Sequence, residues 1–286
     1  MAKSSLGIWV AGARPRTLPA AIAPVLVASA LAGSAFNPVT AALALLVSLS
    51  LQIGVNYAND YSDGIRGTDN DRIGPSRITA GGLAKPSQVK SAAFISFGVA
   101  AIAGLGLAST TSWWLIAVGA ISIAAAWGYT GGKNPYGYMG LGEIFVFIFF
   151  GLVATVGSFY VQTEEITGQS ILAGVIVGSL ACAILVINNI RDRAKDEVVG
   201  KRTLAVRLGD RRSRSLYSAL VIAPYVLTAG FGTPWTWLTL LTLPMTISIL
   251  KALRSGIQGA DLIALLGKTG KLQMLFCLAL SLALIL

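Results

Sequence analysis

Nine apolar runs, each close to the length of a bilayer-spanning helix, follow one another along the chain with short interruptions. They lie near residues 17–35, 40–62, 89–109, 113–130, 142–162, 170–191, 215–232, 235–252 and 270–286. A helix needs about 20 apolar residues to cross the hydrocarbon core, and lipid offers no partner to an open sheet edge. The pattern therefore predicts an all-α integral membrane protein with nine transmembrane helices. Only 12% of the residues are charged, about half the share usual in soluble domains. No polar stretch is long enough to build a core of its own, so residues 1–286 read as a single transmembrane domain. The first apolar run lacks a small-residue cleavage site and is read as a retained span.

The charges between the runs predict an orientation. With the N-terminus on the cytoplasmic side, segments 1–16, 63–88, 131–141, 192–214 and 253–269 face the cytoplasm, and all 22 Lys and Arg fall in or beside them. The opposite loops carry no Lys or Arg and hold Glu164 and Glu165 instead. Such one-sidedness is the positive-inside signature, and Trp113, Trp114, Trp235 and Trp237 sit where an outer aromatic belt would. The net charge of +10 thus describes one membrane face and its attraction to the lipid bilayer, not nucleic-acid binding. Nothing in the chain calls for an obligate protein partner. The absence of histidine excludes His-based metal sites, general bases and Ser-His triads. Cys182 and Cys277 both lie inside apolar runs and imply no disulfide framework.

Two clusters break the apolar pattern. Asn56-Tyr57-Ala58-Asn59-Asp60-Tyr61-Ser62-Asp63 ends the second run, and Asn188-Asn189-Ile190-Arg191-Asp192-Arg193-Ala194-Lys195-Asp196 ends the sixth. Acidic residues at a membrane boundary are costly and mark function. Helical spacing puts Asn56, Asp60 and Asp63 on one face, and Asn188, Asp192 and Asp196 on another. The clusters are four spans apart, so both reach the same membrane face. This predicts a parallel internal repeat of spans 1–4 and 5–8, with span 9 left over. Converging carboxylates repel by roughly 4 kcal/mol per pair at about 4 Å and an effective dielectric near 20. They must take up protons or hold cations. Oxygen ligands without His or Cys select Mg²⁺ or Ca²⁺, and Mg²⁺ commonly pairs one or two carboxylates with substrate phosphates.

Basic residues accompany both clusters. Arg66, Arg72 and Arg77 follow the first in loop 64–88, while Arg191, Arg193, Lys195, Lys201 and Arg202 surround the second and its loop 197–214. Carboxylates for metal and guanidinium groups for oxygen suit a diphosphate. For a single arginine, topology alone is the competing explanation; for the paired clusters, it is helix capping or interhelical salt bridging. Asp69-Asn70-Asp71-Arg72-Ile73-Gly74 opens like an EF-hand loop, but Ile73 and Ala80 occupy ligand positions. Lys133 lies in the Gly/Pro-rich stretch Gly131-Gly132-Lys133-Asn134-Pro135-Tyr136, where a turn and a functional role both remain open.

At these residues the chain resembles the UbiA superfamily of intramembrane aromatic prenyltransferases. Within it, Asn56 to Gly82, Tyr129 to Glu143 and Asn188 to Gly209 resemble the menaquinone branch. The resemblance implies a UbiA-type bundle and transfer of a polyprenyl group from polyprenyl diphosphate to 1,4-dihydroxy-2-naphthoate, with loss of CO₂ and pyrophosphate. It implies Mg²⁺ as cofactor, held by Asn56, Asp60, Asp63, Asn188, Asp192 and Asp196. It also implies Arg66, Arg72, Arg77, Arg191, Lys201, Arg202 and Lys133 as candidates for the phosphates or the naphthoate carboxylate. Tyr57, Tyr61, Tyr129, Tyr136 and Tyr138 become candidates for shielding an allylic cation. A bacterial plasma membrane is the implied location. The rival readings are another aromatic acceptor, such as 4-hydroxybenzoate, and a cation-coupled transporter.

Overall fold

The computed structural model describes residues 5–68 and 77–286. The described residues form helices and connecting turns throughout. The helices are α1 (Ser5–Ala13), α2 (Pro19–Leu31), α3 (Pro38–Ile65), α4 (Pro86–Thr110), α5 (Leu115–Gly128), α6 (Gly142–Val146), α7 (Ala154–Thr163), α8 (Gly168–Val198), α9 (Leu204–Leu227), α10 (Leu243–Arg254) and α11 (Asp261–Ile285). Each of the nine apolar runs is helical. Among the described residues six helical stretches are long and apolar enough to cross a membrane, and two apolar helices, Pro19–Leu31 and Leu115–Gly128, are shorter. α2 is extended at both ends by 3-10 turns, Pro15–Thr17 and Gly33–Ala35. The seventh run falls in the second half of α9, whose first half is too charged to enter lipid.

Local chemistry sets the element ends. Asn37 caps α3 by accepting from the amides of Val39 and Thr40, and Pro38 fills the first helical position, where no amide is needed. Thr167 and Ser170 form a reciprocal capping pair at the start of α8. Gly209 interrupts α9 with φ 75° and ψ 173°, a backbone conformation open to glycine because it lacks a Cβ.

α8 is the axis of the bundle. It packs on α6–α7, α9 and α11, and most of its apolar span is buried inside the protein. α6 continues into α7 through a π-helical turn, Phe147–Val153. Gly151 in that turn meets Gly174 and Gly178 of α8: a Cβ at Gly151 would lie 2.6 Å from the Gly178 Cα. Small residues permit this approach, which lipid does not otherwise drive. α2 packs against α11 and α8, joining Ala23 and Val27 to Leu180, Phe276, Cys277 and Leu280. α3 packs against α4 and, through Tyr57 and Ile78, against α1 and the returning loop. α3 and α8 carry their polar ends toward one side of the bundle.

Candidate active site

One cavity of about 360 Å³ lies among α2, α3, α5, α7 and α8. Its polar end is lined by Asn56, Asp63, Arg77, Asn188, Asp192, Lys195, Asp196 and Lys201. Both acidic clusters therefore open into the same space. The remainder is apolar, walled by residues such as Val47, Leu107, Val118, Phe149 and Val161. From Asp63 to Ala44 the cavity follows α3 for 19 residues, roughly 28 Å at 1.5 Å per residue.

The carboxylates at the polar end are engaged with cations and hydroxyls. Asp63 accepts from the Tyr138 hydroxyl at 2.7 Å and pairs with Lys201 Nζ at 3.1 Å. Lys201 also sits over the Tyr138 ring, 4.6 Å from its centroid. Burial disfavours the Lys201 charge, but Asp63, Tyr138 and Asp196 outweigh it and hold the amine above the ordinary lysine range. Burial, reinforced by the Asp63 charge, raises the Tyr138 phenol. Lys201 thus joins the α3 cluster to the α8 cluster, and its own amide donates to the Asp196 carbonyl at 2.7 Å. Asp192 receives both Arg191 Nε and Nη2, at 2.7 and 2.6 Å. Arg191 is buried and also donates to Asn188 Oδ1 at 2.8 Å. Among the described residues no three carboxylates or thiolates gather into a metal cage. The carboxylates around this end of the cavity come one from α3, Asp63, and two from α8, Asp192 and Asp196.

Several of the residues that the sequence singled out lie elsewhere. Asp60 is buried outside the cavity lining. Its two oxygens accept from the amides of Ile78 at 3.0 Å and Thr79 at 2.8 Å, fastening the return of loop 64–88 to α3. Arg66 reaches the carbonyls of Thr130 and Gly132 and lies against the Tyr138 ring, clamping segment 129–141. Arg202 is exposed, and its amide donates to the Tyr138 carbonyl at 2.9 Å. Lys133 is exposed and does not line the cavity. Arg72 lies outside the described residues, as do Asp69 and Asp71. Tyr129, Tyr136 and Tyr138 line the cavity. Tyr57 instead donates to the Trp9 carbonyl at 2.8 Å, and Tyr61 stacks on Trp127.

The structure adds Arg14, Thr17, Gln52 and Glu143, which sequence reasoning left out, and singles out Lys195 from the cations around the second cluster. Arg14 and Thr17 line the polar end from the N-terminal segment. Asn56 Nδ2 donates to the Ala13 carbonyl at 2.9 Å and to Thr17 Oγ1 at 3.0 Å, so that segment is tied to α3. Gln52 also donates to Thr17 Oγ1, at 3.0 Å. Its place four residues before Asn56, extending the polar stripe of α3 by one turn, was the available signal. Lys195 Nζ is buried at the cavity without a hydrogen-bond partner among the described residues. Glu143 is buried beside α8, accepting from Asn189 Nδ2 at 2.9 Å.

Fold and site together define an intramembrane protein with room for a ligand that has an anionic head and a long apolar tail. The chain belongs to the UbiA prenyltransferase family, whose model matches residues 21–261. It is 48% identical to 1,4-dihydroxy-2-naphthoate octaprenyltransferase of Mycobacterium tuberculosis over 282 residues, covering 97% of each chain. It is 39% identical to the Escherichia coli protein of the same name over 253 residues, covering 84% of this chain and 82% of that one. Among solved structures, a UbiA homologue from Archaeoglobus fulgidus bound to GPP and Mg²⁺ superposes with a TM-score of 0.67. It is 15% identical and covers 97% of this chain and 99% of that one; that likeness is one of fold.

Proposed function

We propose that this protein transfers a polyprenyl group from polyprenyl diphosphate to 1,4-dihydroxy-2-naphthoate, releasing pyrophosphate and CO₂ and forming demethylmenaquinol, the hydroquinone form of demethylmenaquinone. The observation that carries the reading is one cavity, roughly 28 Å long in all, in which both Asn/Asp clusters form the polar end and apolar walls form the rest. The octaprenyltransferase relatives support the choice of acceptor.

The donor set fits Mg²⁺: Asp63, Asp192 and Asp196 with the amide oxygens of Asn56 and Asn188 offer hard oxygen ligands and no sulfur or imidazole. When bound, the metal supplies positive charge that stabilises a departing diphosphate. Lys195 and Arg77 face the same space and bind the anionic oxygens of diphosphate or naphthoate carboxylate. Lys201 and Tyr138 position Asp63 by occupying one oxygen each. Asp60 acts one step back: by holding Ile78 and Thr79 it positions the adjacent Arg77. The apolar walls exclude water, which would otherwise capture the allylic carbon as its bond to oxygen lengthens. Tyr129, Tyr136 and Phe149 present ring faces and edges in the same cavity and shield developing positive charge.

The same reading takes nine spans, a parallel repeat of spans 1–4 and 5–8, and an N-terminus and active site on the cytoplasmic side of a bacterial plasma membrane. The one-sided Lys and Arg distribution supports it.

The test is purified protein in nanodiscs with 1,4-dihydroxy-2-naphthoate and geranylgeranyl diphosphate, assayed by mass spectrometry. The expected product is prenylated and decarboxylated, lost with EDTA and regained with Mg²⁺. Product from 4-hydroxybenzoate but not from naphthoate would overturn the acceptor; chelator-insensitive turnover would overturn the metal assignment.

A further inference from the structure

A second concavity lies apart from the cavity just described, between the 3-10 turn Pro15–Thr17 and the first half of α11. It is lined by Arg16, Lys268 and Lys271 together with Ala260, Ile263, Ala264 and Gly267. The five α11 residues and the Ala260 cap follow helical spacing and form one stripe. The two walls approach closely through the backbone: a Cβ at Gly270 would lie 3.2 Å from the Arg16 carbonyl oxygen, a tight contact. Among the described residues all three cations lack a side-chain hydrogen bond or ion pair, and none of the groove's lining residues is a carboxylate.

The position in the fold indicates what meets them. Arg16 lies three residues before the start of α2, and no charged residue follows Lys271 in the sequence. α2 and α11 start on the same side and pack along their lengths. α11 has 25 residues and is roughly 37 Å long, about 7 Å more than the hydrocarbon core. Its two lysines therefore enter the membrane near the hydrocarbon edge, and their amines must reach back toward the headgroup phosphates. A soluble anion would satisfy the charges but leave the apolar stripe against water.

We infer that this groove is a binding site for one anionic glycerophospholipid, with the phosphodiester held by Arg16, Lys268 and Lys271 and the glycerol and acyl portion on the small-residue face of α11. A zwitterionic headgroup fits worse, because it brings its own ammonium among three cations. Nothing in this inference depends on the reaction assigned to the main cavity.

The experiment is native mass spectrometry of delipidated protein titrated with palmitoyl-oleoyl phosphatidylglycerol or with the matching phosphatidylcholine. The variant Arg16→Gln/Lys268→Gln/Lys271→Gln is compared with a charge-matched control, Arg211→Gln/Arg212→Gln/Lys251→Gln, which alters exposed residues elsewhere. At about fivefold per cation, the groove variant should bind the first phosphatidylglycerol on the order of 100-fold more weakly. The control should bind like the unaltered protein, and phosphatidylcholine should bind weakly to all three. Melting curves in detergent verify that each variant is folded, and the three single glutamine variants, each about fivefold weaker, stand in if the triple is not. Equal loss in the control and groove variants would overturn the site in favour of general surface charge. Unchanged binding in the groove variants, or displacement of the lipid by millimolar inorganic phosphate, would overturn it as well.

Discussion

Replacing Asp60 separates a positioning role from direct metal ligation. Its two oxygens accept from the backbone amides of Ile78, buried, and Thr79, partly buried, at 3.0 and 2.8 Å. Hydrogen bonds to a charged group contribute about 1.5–3 kcal/mol each. In Asp60→Asn the side chain keeps one acceptor oxygen and turns an NH₂ toward the second amide, so one bond is lost and two donors face each other. The expected local cost is about 2–3 kcal/mol, which corresponds to roughly 30- to 150-fold easier opening of the segment beginning at Arg77. Hydrogen exchange followed by mass spectrometry in nanodiscs should show that acceleration at residues 78–80, with little change in the cores of α8 or α11. Turnover should fall because Arg77 leaves its place at the cavity, but the Mg²⁺ concentration giving half-maximal activity should stay where it is. Asp63→Asn and Asp192→Asn should shift that concentration upward. If Asp60→Asn leaves exchange at 78–80 unaltered and raises the Mg²⁺ requirement as Asp63→Asn does, the positioning argument is wrong.

Lys195→Met should reduce kcat/KM about 10- to 100-fold with the melting temperature maintained, because the buried amine has no hydrogen-bond partner to lose among the described residues; activity within a factor of about two would remove it from the anion-binding set. Gly151→Ala forces a methyl to 2.6 Å from the Gly178 Cα and should cost about 1–3 kcal/mol. A melting temperature equal to that of the unaltered protein would show that the π-helical turn and α8 are not held at this separation. Lys133→Ala should leave the kinetic constants within about twofold, as expected of an exposed position away from the cavity; a tenfold change in KM for either substrate would place Lys133 at the site after all.

The sequence made much of this protein legible, because lipid leaves few choices. Apolar runs of span length become helices, and each of the nine runs is helical here. The spacing of Asn56, Asp60 and Asp63 and of Asn188, Asp192 and Asp196 identified the two polar helix ends. Helical periodicity is local, so it could be read from neighbours in the chain. It did not reveal which of those acids face the cavity. Asp60 and Asp63 are three residues apart on one helix, yet Asp60 turns to the amides of loop 64–88 while Asp63 meets Tyr138 and Lys201. Arg66 sits close to the acidic cluster in sequence but spends its guanidinium on the carbonyls of Thr130 and Gly132, more than 60 residues away. Conversely, Arg14 and Thr17 join the site from a segment whose sequence shows only a charged entry to the first span. The sequence determined the class of protein, the helices and the residue types at their polar ends, because burial in lipid and helical geometry act residue by residue. Only the tertiary structure decided which of those residues share a cavity, because a buried polar group binds whatever partner the packing of distant segments brings within about 3 Å, and the chain does not encode that distance locally.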